Sequence, residues 1–156
     1  MANYEATIIW SRDGAEFLDG RYCRGHRWLF DGGVEVPASA SPHVVPLPMS
    51  VEAAVDPEEA FVASLSSCHM LGFLHIASKL GFVVESYRDE AVGVMDKVFG
   101  GLAMAVVTLR PEVHFGGDKR PTADEKAAMH HEAHELCFIA RSVKTEVRCV
   151  AVCVPE

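Results

Sequence analysis

The stretch Asp56-Pro57-Glu58-Glu59-Ala60-Phe61-Val62-Ala63-Ser64-Leu65-Ser66-Ser67-Cys68-His69-Met70 decides how this chain of 156 residues is read. Asp56 fits a helix N-cap, Pro57 fits the first helical position, and Glu59 stands where a capping box needs a carboxylate. The pattern predicts a helix over 56–80 with Gly81 as its stop. Roughly 24 residues at ~1.5 Å each make a rod of about 36 Å. It is apolar over much of its circumference, as a buried central helix is. Cys68 lies on this helix, and Cys137 follows far downstream in His134-Glu135-Leu136-Cys137.

Working outward, Tyr4–Trp10 and His26–Phe30 read as strands, separated by turn residues at Ser11–Gly14 and closed by Asp31-Gly32-Gly33. Residues 34–55 carry Pro37, Pro42, Pro46 and Pro48 and no clear period. They read as a long loop with apolar members Val44, Val45, Leu47 and Met49, and long loops in compact domains are mostly functional. After the central helix, Val83–Val98 and Gly101–Phe115 read as two long strands joined by a hairpin turn at Lys97–Gly101. Thr122-Ala123-Asp124-Glu125 repeats the capping-box pattern and opens a second helix over 123–137. Ser142–Val154 reads as a last strand, with Val147, Cys149, Ala151 and Cys153 on one face. The order β-β-loop-α-β-β-α-β, with strands in antiparallel runs, is that of an α+β fold. The length suits a single domain over 1–156.

The net charge is 14 − 22 = −8. An acidic chain gains nothing from a polyanion, so nucleic acid is not an expected partner, and anionic lipid is disfavoured for the same reason. The start, Met1-Ala2-Asn3-Tyr4-Glu5, lacks the basic and apolar regions of a secretory leader. Polar residues break every apolar stretch before the ~18 residues that a membrane span needs. A cytoplasmic protein is expected. Its five cysteines, 23, 68, 137, 149 and 153, are an odd number in a compartment where structural disulfides are rare.

A thiol in a helix, an acidic residue at that helix's start and a distant second thiol suit peroxide chemistry. A thiolate attacks a peroxide, becomes a sulfenic acid and needs another thiol to resolve it. The bland reading of Cys68 is a small buried hydrophobe. Against it, Ser64 and Gly72 share its helix face four residues either side, leaving room at the sulfur. Cys68 is too far from the helix start for the dipole to acidify it, so a cation, foremost an arginine, must do so. Glu58 and Cys68 are roughly 15 Å apart along a straight helix. A partner chain's antiparallel helix would bring its own Glu58 closer, whereas the bland reading makes Glu58 a first-turn carboxylate. His130 and His134 stand four apart on the second helix, a spacing that can hold zinc. However, His131-Glu132-Ala133-His134 is one residue short of the zinc-protease pattern and no third ligand is evident. The cluster with His131 therefore reads as a solvated face. His69 points away from its neighbour Cys68. Cys149 and Cys153, about 13 Å apart along one strand, cannot bridge and read as core, while Cys23 has no assigned role.

The segment from Asp56 to Cys68 resembles the Asn-Pro-Glu-Glu/Gln…Ala-Ala-Cys signature of the OsmC/Ohr family, the osmotically inducible and organic hydroperoxide resistance proteins. Ala133-His134-Glu135-Leu136-Cys137 resembles that family's second cysteine motif, and the element order agrees over nearly the whole chain. The resemblance implies an OsmC-like fold, antiparallel sheets around long central helices in an intertwined homodimer. It implies a cysteine-based, peroxiredoxin-like organic hydroperoxide reductase, an oxidoreductase that uses a lipoyl-type or other dithiol reductant and no metal or flavin cofactor. Carried over position by position, Cys68 is the peroxidatic and Cys137 the resolving cysteine. Glu58 is the acidic partner of an arginine that stabilises the thiolate. Alignment through Asp31-Gly32 places that arginine at Arg24, with Arg21 and Arg27 as competitors. Asp56 replaces the usual Asn, Phe138 and Ile139 stand where Pro and Tyr are common, and His69 follows Cys68. These departures mark a divergent branch. The rival from another class is a non-catalytic OsmC-like binding or stress-response module that has lost the peroxidase chemistry. A second rival, acyl transfer from Cys68 with a histidine base, would need His69 or His75 beside the sulfur.

Overall fold

The computed structural model describes residues 1–98 and 100–153. The chain divides into two compact units, Met1–Ala60 and Phe61–Glu156. The first unit holds an antiparallel three-stranded sheet of β1 (Ala6–Ile9), β2 (His26–Phe30) and β3 (Glu35–Ala38) in sequence order. Register sets Ile8 opposite Trp28 and Trp28 opposite Val36. A small aromatic group, Trp10, Phe17 and Tyr22, packs beside it. The expected loop over 34–55 is thus partly strand. Pro37 sits in β3, an edge strand, where a residue without an N–H is tolerated. Beyond β3 the chain returns so that Val55 bridges Ala38, and the Ser39 hydroxyl accepts the Val51 amide at 2.9 Å.

Helix α1 (Pro57–Lys79) begins in the first unit and runs on through the second. Its capping box is complete: the Glu59 amide donates to Asp56 Oδ1 at 2.7 Å and the Asp56 amide donates to Glu59 at 3.2 Å. Its far end closes at Gly81, φ 77°. There the Phe82 amide donates to Ala77 O and the Gly81 amide to Ser78 O, the paired bonds of a Schellman stop. By length and composition alone α1 could cross a membrane. It is nevertheless the core helix of the second unit. Leu65, His69, Phe73, Ile76 and Ala77 form one buried stripe. The opposite side is open, with Leu71 63% exposed, so burial is narrower than the apolar circumference implied.

The rest of the second unit is one long hairpin that breaks in the middle. The run expected as two strands forms β4 (Val83–Asp89), β5 (Val92–Val98), β6 (Gly101–Leu109) and β7 (Pro111–Gly116). The pairs are nested, β5 with β6 and β4 with β7, and Asp89 opposite Pro111 continues the register of Val92 opposite Thr108. At the break Asp89 Oδ1 accepts the Arg110 amide at 2.6 Å, holding a donor that the ladder leaves free. Helix α2 (Ala123–Leu136) starts on the Thr122–Glu125 capping box. A short 3-10 turn, Ala140–Ser142, leads to β8 (Glu146–Cys149). The last strand is therefore shorter than expected, and Val154 lies outside the described residues. β8 runs parallel to β6, an exception to the antiparallel expectation. Two apolar clusters hold this unit. Phe73, Ile76, Phe82, Met129 and Ala133 join α1 to α2, and Leu65, Val107 and Leu109 join α1 to the β5-β6-β8 sheet.

Candidate active site

Cys68 is half-buried on α1, one position before the buried His69. The small-residue face beside it works as the spacing suggested, but its occupant is α2. A Cβ on Gly72 would meet Ala133 backbone and side-chain atoms at 3.6–3.7 Å, so the two helices approach closely there. Ser64 turns its hydroxyl back to Phe61 O at 2.7 Å. One turn beyond Ala133, α2 ends and Cys137 caps it, its amide donating to His134 O at 3.2 Å.

The close approach brings the two predicted thiols together: Cys68 lies close enough to Cys137 to act on its thiol. They are 69 residues apart in the chain and come from different helices, yet both remain free thiols. Cys137 is 3% exposed. Its sulfur also receives the Ala140 amide at 3.3 Å, with the Ile139 amide beside it. Burial raises the Cys137 pKa, and the neighbouring Cys68 raises it further, outweighing those two amides. Cys137 is therefore held in its thiol form more firmly than an ordinary cysteine.

The carried-over charged residues are placed as follows. Glu58 is half-buried in the first turn of α1. Arg24 is half-buried in the first unit. Its guanidinium donates to Gly20 O at 2.7 Å and to Tyr22 O, and lies 3.8 Å above the Tyr22 ring. Its amide donates to Met49 O at 2.7 Å, which ties it to the loop after β3. Among the described residues no ion pair joins Arg24 to Glu58. Arg27 instead pairs with Glu35 at 2.8 Å, and Arg21 is exposed. The loop walls a small pocket of ≈ 280 Å³ with Pro37, Val51 and Ala54, but its Val44 and Leu47 are 68% and 55% exposed.

Three residues read as bland turn out otherwise. His130 is buried, not solvated, and its Nδ1 meets His69 Nε2 at 3.1 Å. Cys149 Sγ lies 3.7 Å from the same His69 nitrogen. Burial, first, and the neighbouring His134 hold His69 down at about 4, with Asp89 opposing. Burial, then His69, does the same to His130. Burial, then Asp89, pushes the Cys149 thiol up to about 11. Cys153, expected in the core, is exposed. The signal for His69 was present in the sequence. It stands four residues from Leu65 and four from Phe73, in the buried stripe of α1. His130 follows buried Met129 in the same way on α2. Which side chains these stripes would face was not legible. His69 turns to His130 rather than to its neighbour Cys68, as expected, and His75 is exposed.

A family model for OsmC-like proteins matches residues 50–151. The chain is 55% identical to an OsmC-like protein of unknown function from Vibrio cholerae O1 biovar eltor. The two structures agree with a TM-score of 0.96 over 97% of this chain and 100% of that one. An organic hydroperoxide resistance protein from Elizabethkingia anophelis has the same fold at 15% identity and TM-score 0.72, covering 97% of this chain and 96% of the other. The organic hydroperoxide resistance protein OhrB of Bacillus subtilis does so at 17% identity and TM-score 0.69, covering 97% and 98%. A search among curated proteins returned no match. With its α+β architecture, both cysteine motifs and this match over most of its length, the chain belongs to the OsmC/Ohr family of OsmC-like proteins.

Proposed function

We propose that this protein is a thiol-dependent peroxidase that reduces organic hydroperoxides to alcohols. The observation that carries the reading is the juxtaposition of Cys68 and Cys137, two free thiols 69 residues apart that interact at the α1–α2 contact. The Cys68 thiolate attacks the distal oxygen of the hydroperoxide. A sulfur–oxygen bond forms, the peroxide bond breaks, and the alkoxide leaves to be protonated to the alcohol. Cys137 then attacks the sulfenic acid, forming a disulfide and releasing water. An external dithiol, lipoyl-type by family resemblance, restores both thiols by exchange and leaves as its own disulfide.

The roles of Arg24 and Glu58 rest on the same resemblance. Arg24 would hold the thiolate and polarise the peroxide, and Glu58 would orient the guanidinium. A homodimer in the cytoplasm belongs to this reading, as does the part of the loop over 34–55 as a wall for the alkyl group. Organic peroxides are the proposed substrates because structural relatives are described as organic hydroperoxide resistance proteins. Titration of free thiols before and after one equivalent of cumene hydroperoxide tests the proposal. Loss of two thiols per equivalent, recovered by a dithiol, supports it. Retention of all five supports the non-catalytic module instead.

A further inference from the structure

His69, His130 and Cys149 take no part in the thiol chemistry above, and they come from three elements, α1, α2 and β8. One potential ligand atom from each lies within 4.8 Å of the other two. We infer that these three side chains form a binding site for a divalent first-row metal ion that prefers nitrogen and sulfur donors, zinc foremost. Tetrahedral zinc, with bonds of about 2.0–2.1 Å to nitrogen and about 2.3 Å to sulfur, sets its donors about 3.3 Å apart for two nitrogens and about 3.5 Å apart for nitrogen and sulfur. The observed separations are 3.1 Å between the imidazole nitrogens and 3.7 Å between His69 Nε2 and Cys149 Sγ. The third pair, His130 and Cys149, has its ligand atoms within 4.8 Å.

Hydrogen bonding alone leaves this cluster unsatisfied. The His69 and His130 rings lie within 7° of parallel with centroids 5.4 Å apart, so they meet at their nitrogen edges. His69 Nε2 carries either a hydrogen or a lone pair, and faces two polar atoms that it cannot both serve. Its Nδ1 is buried without a partner, and so is the hydroxyl of Tyr87, close enough to Asp89 and Cys149 for their charges to act on it. An ion in place of the hydrogen between the rings draws lone pairs from both imidazoles and from the sulfur, and the displaced hydrogen is taken up on the far nitrogen of its own ring, so that both imidazoles stay neutral. Binding releases the Cys149 proton to solvent. The ion's two positive charges then face the thiolate and the fixed carboxylate of Asp89. That carboxylate is held by Ser66 Oγ at 2.6 Å and the Arg110 amide at 2.6 Å. Calcium and magnesium, which demand oxygen donors, do not suit this set. A pocket of ≈ 730 Å³ lined by His130, His134 and Cys149 gives the ion an entry path and room for a fourth ligand.

The test uses the full chain, reduced, stripped with a chelator and titrated with cobalt(II) under nitrogen. The expected result is one cobalt per chain, a thiolate-to-cobalt charge-transfer band, intense low-symmetry d–d bands, and stoichiometric displacement by zinc. C149S should abolish the charge-transfer band, and H130A should weaken zinc binding at least tenfold in competition with a chromophoric chelator. C68S/C137S should leave the spectrum intact. Absence of the band, or its survival in C149S, overturns the assignment. Its loss in C68S/C137S does so too, because it would place the ion on the other thiol pair. If circular dichroism shows C149S unfolded, H130A decides, and unchanged affinity in that variant overturns the inference.

Discussion

Two thiols carry the proposed chemistry, and their surroundings give them different tasks. Cys137 is buried and held protonated, whereas Cys68 is half-buried on the helix face that Gly72 keeps narrow. Cys137→Ser is expected to consume one equivalent of hydroperoxide and stop at a sulfenic acid that a dimedone probe traps. Repeated turnover by this variant would show that Cys137 does not resolve. Arg24→Ala is expected to slow sulfenic acid formation on the order of a hundredfold, as loss of a positioned charge-stabilising donor does. Arg24→Lys should rescue only in part, because one ammonium cannot bond both a carboxylate and the thiolate in a fixed plane. Glu58→Ala should slow the reaction less. Stopped-flow rates for these variants, with Arg21→Ala and Arg27→Ala beside them, decide which arginine acts, and normal rates in all would remove the cation from the mechanism. At this scale the sequence pointed to Cys68 and Cys137 because their motifs are local. It concealed the meeting of His69, His130 and Cys149, because a histidine in an apolar stripe has the same spacing whether it meets methyl groups or another imidazole.

Among the elements, the helices were the most legible. Their ends are written in short-range chemistry, Asp56 with Glu59, Thr122 with Glu125, and Gly81 at positive φ, and each cap forms as spaced. Thr122→Ala should cost about 1 kcal/mol in a denaturant titration, the usual worth of such a cap. The strands were less legible. The break at Asp89–Val92 rests on a carboxylate meeting the Arg110 amide across the hairpin, and the parallel β8 rests on a partner 40 residues away, Val106 opposite Glu146. The α1–α2 contact gives a sharper prediction. Gly72→Ala adds a Cβ at ordinary contact distance from Ala133, so it should fold and gain up to about 1 kcal/mol of helix propensity. Gly72→Leu cannot be placed without pushing α2 away. It should lower stability by about 1–3 kcal/mol. It should also slow disulfide formation more than sulfenic acid formation. Equal slowing of both steps would argue that the contact does not set the thiol separation.

For the whole molecule, the open side of α1 and the exposed Leu71, Leu102 and Phe138 leave much apolar surface on the second unit. An obligate homodimer burying well over ~2,000 Å² is the expected state, and sedimentation at micromolar concentration should show it. A stable folded monomer would remove the dimer from the account. The central claim is that Cys68 and Cys137 are one redox pair serving hydroperoxide reduction, and it is tested most directly by mapping disulfides after a single turnover. The reduced protein is mixed with one equivalent of cumene hydroperoxide, remaining thiols are blocked, and peptides are identified by mass spectrometry. The account predicts one mole of cumyl alcohol per mole of a Cys68–Cys137 disulfide, with Cys23, Cys149 and Cys153 still blocked as thiols and no alcohol from Cys68→Ser. Alcohol formed by Cys68→Ser, or oxidation that bypasses this pair, would contradict it.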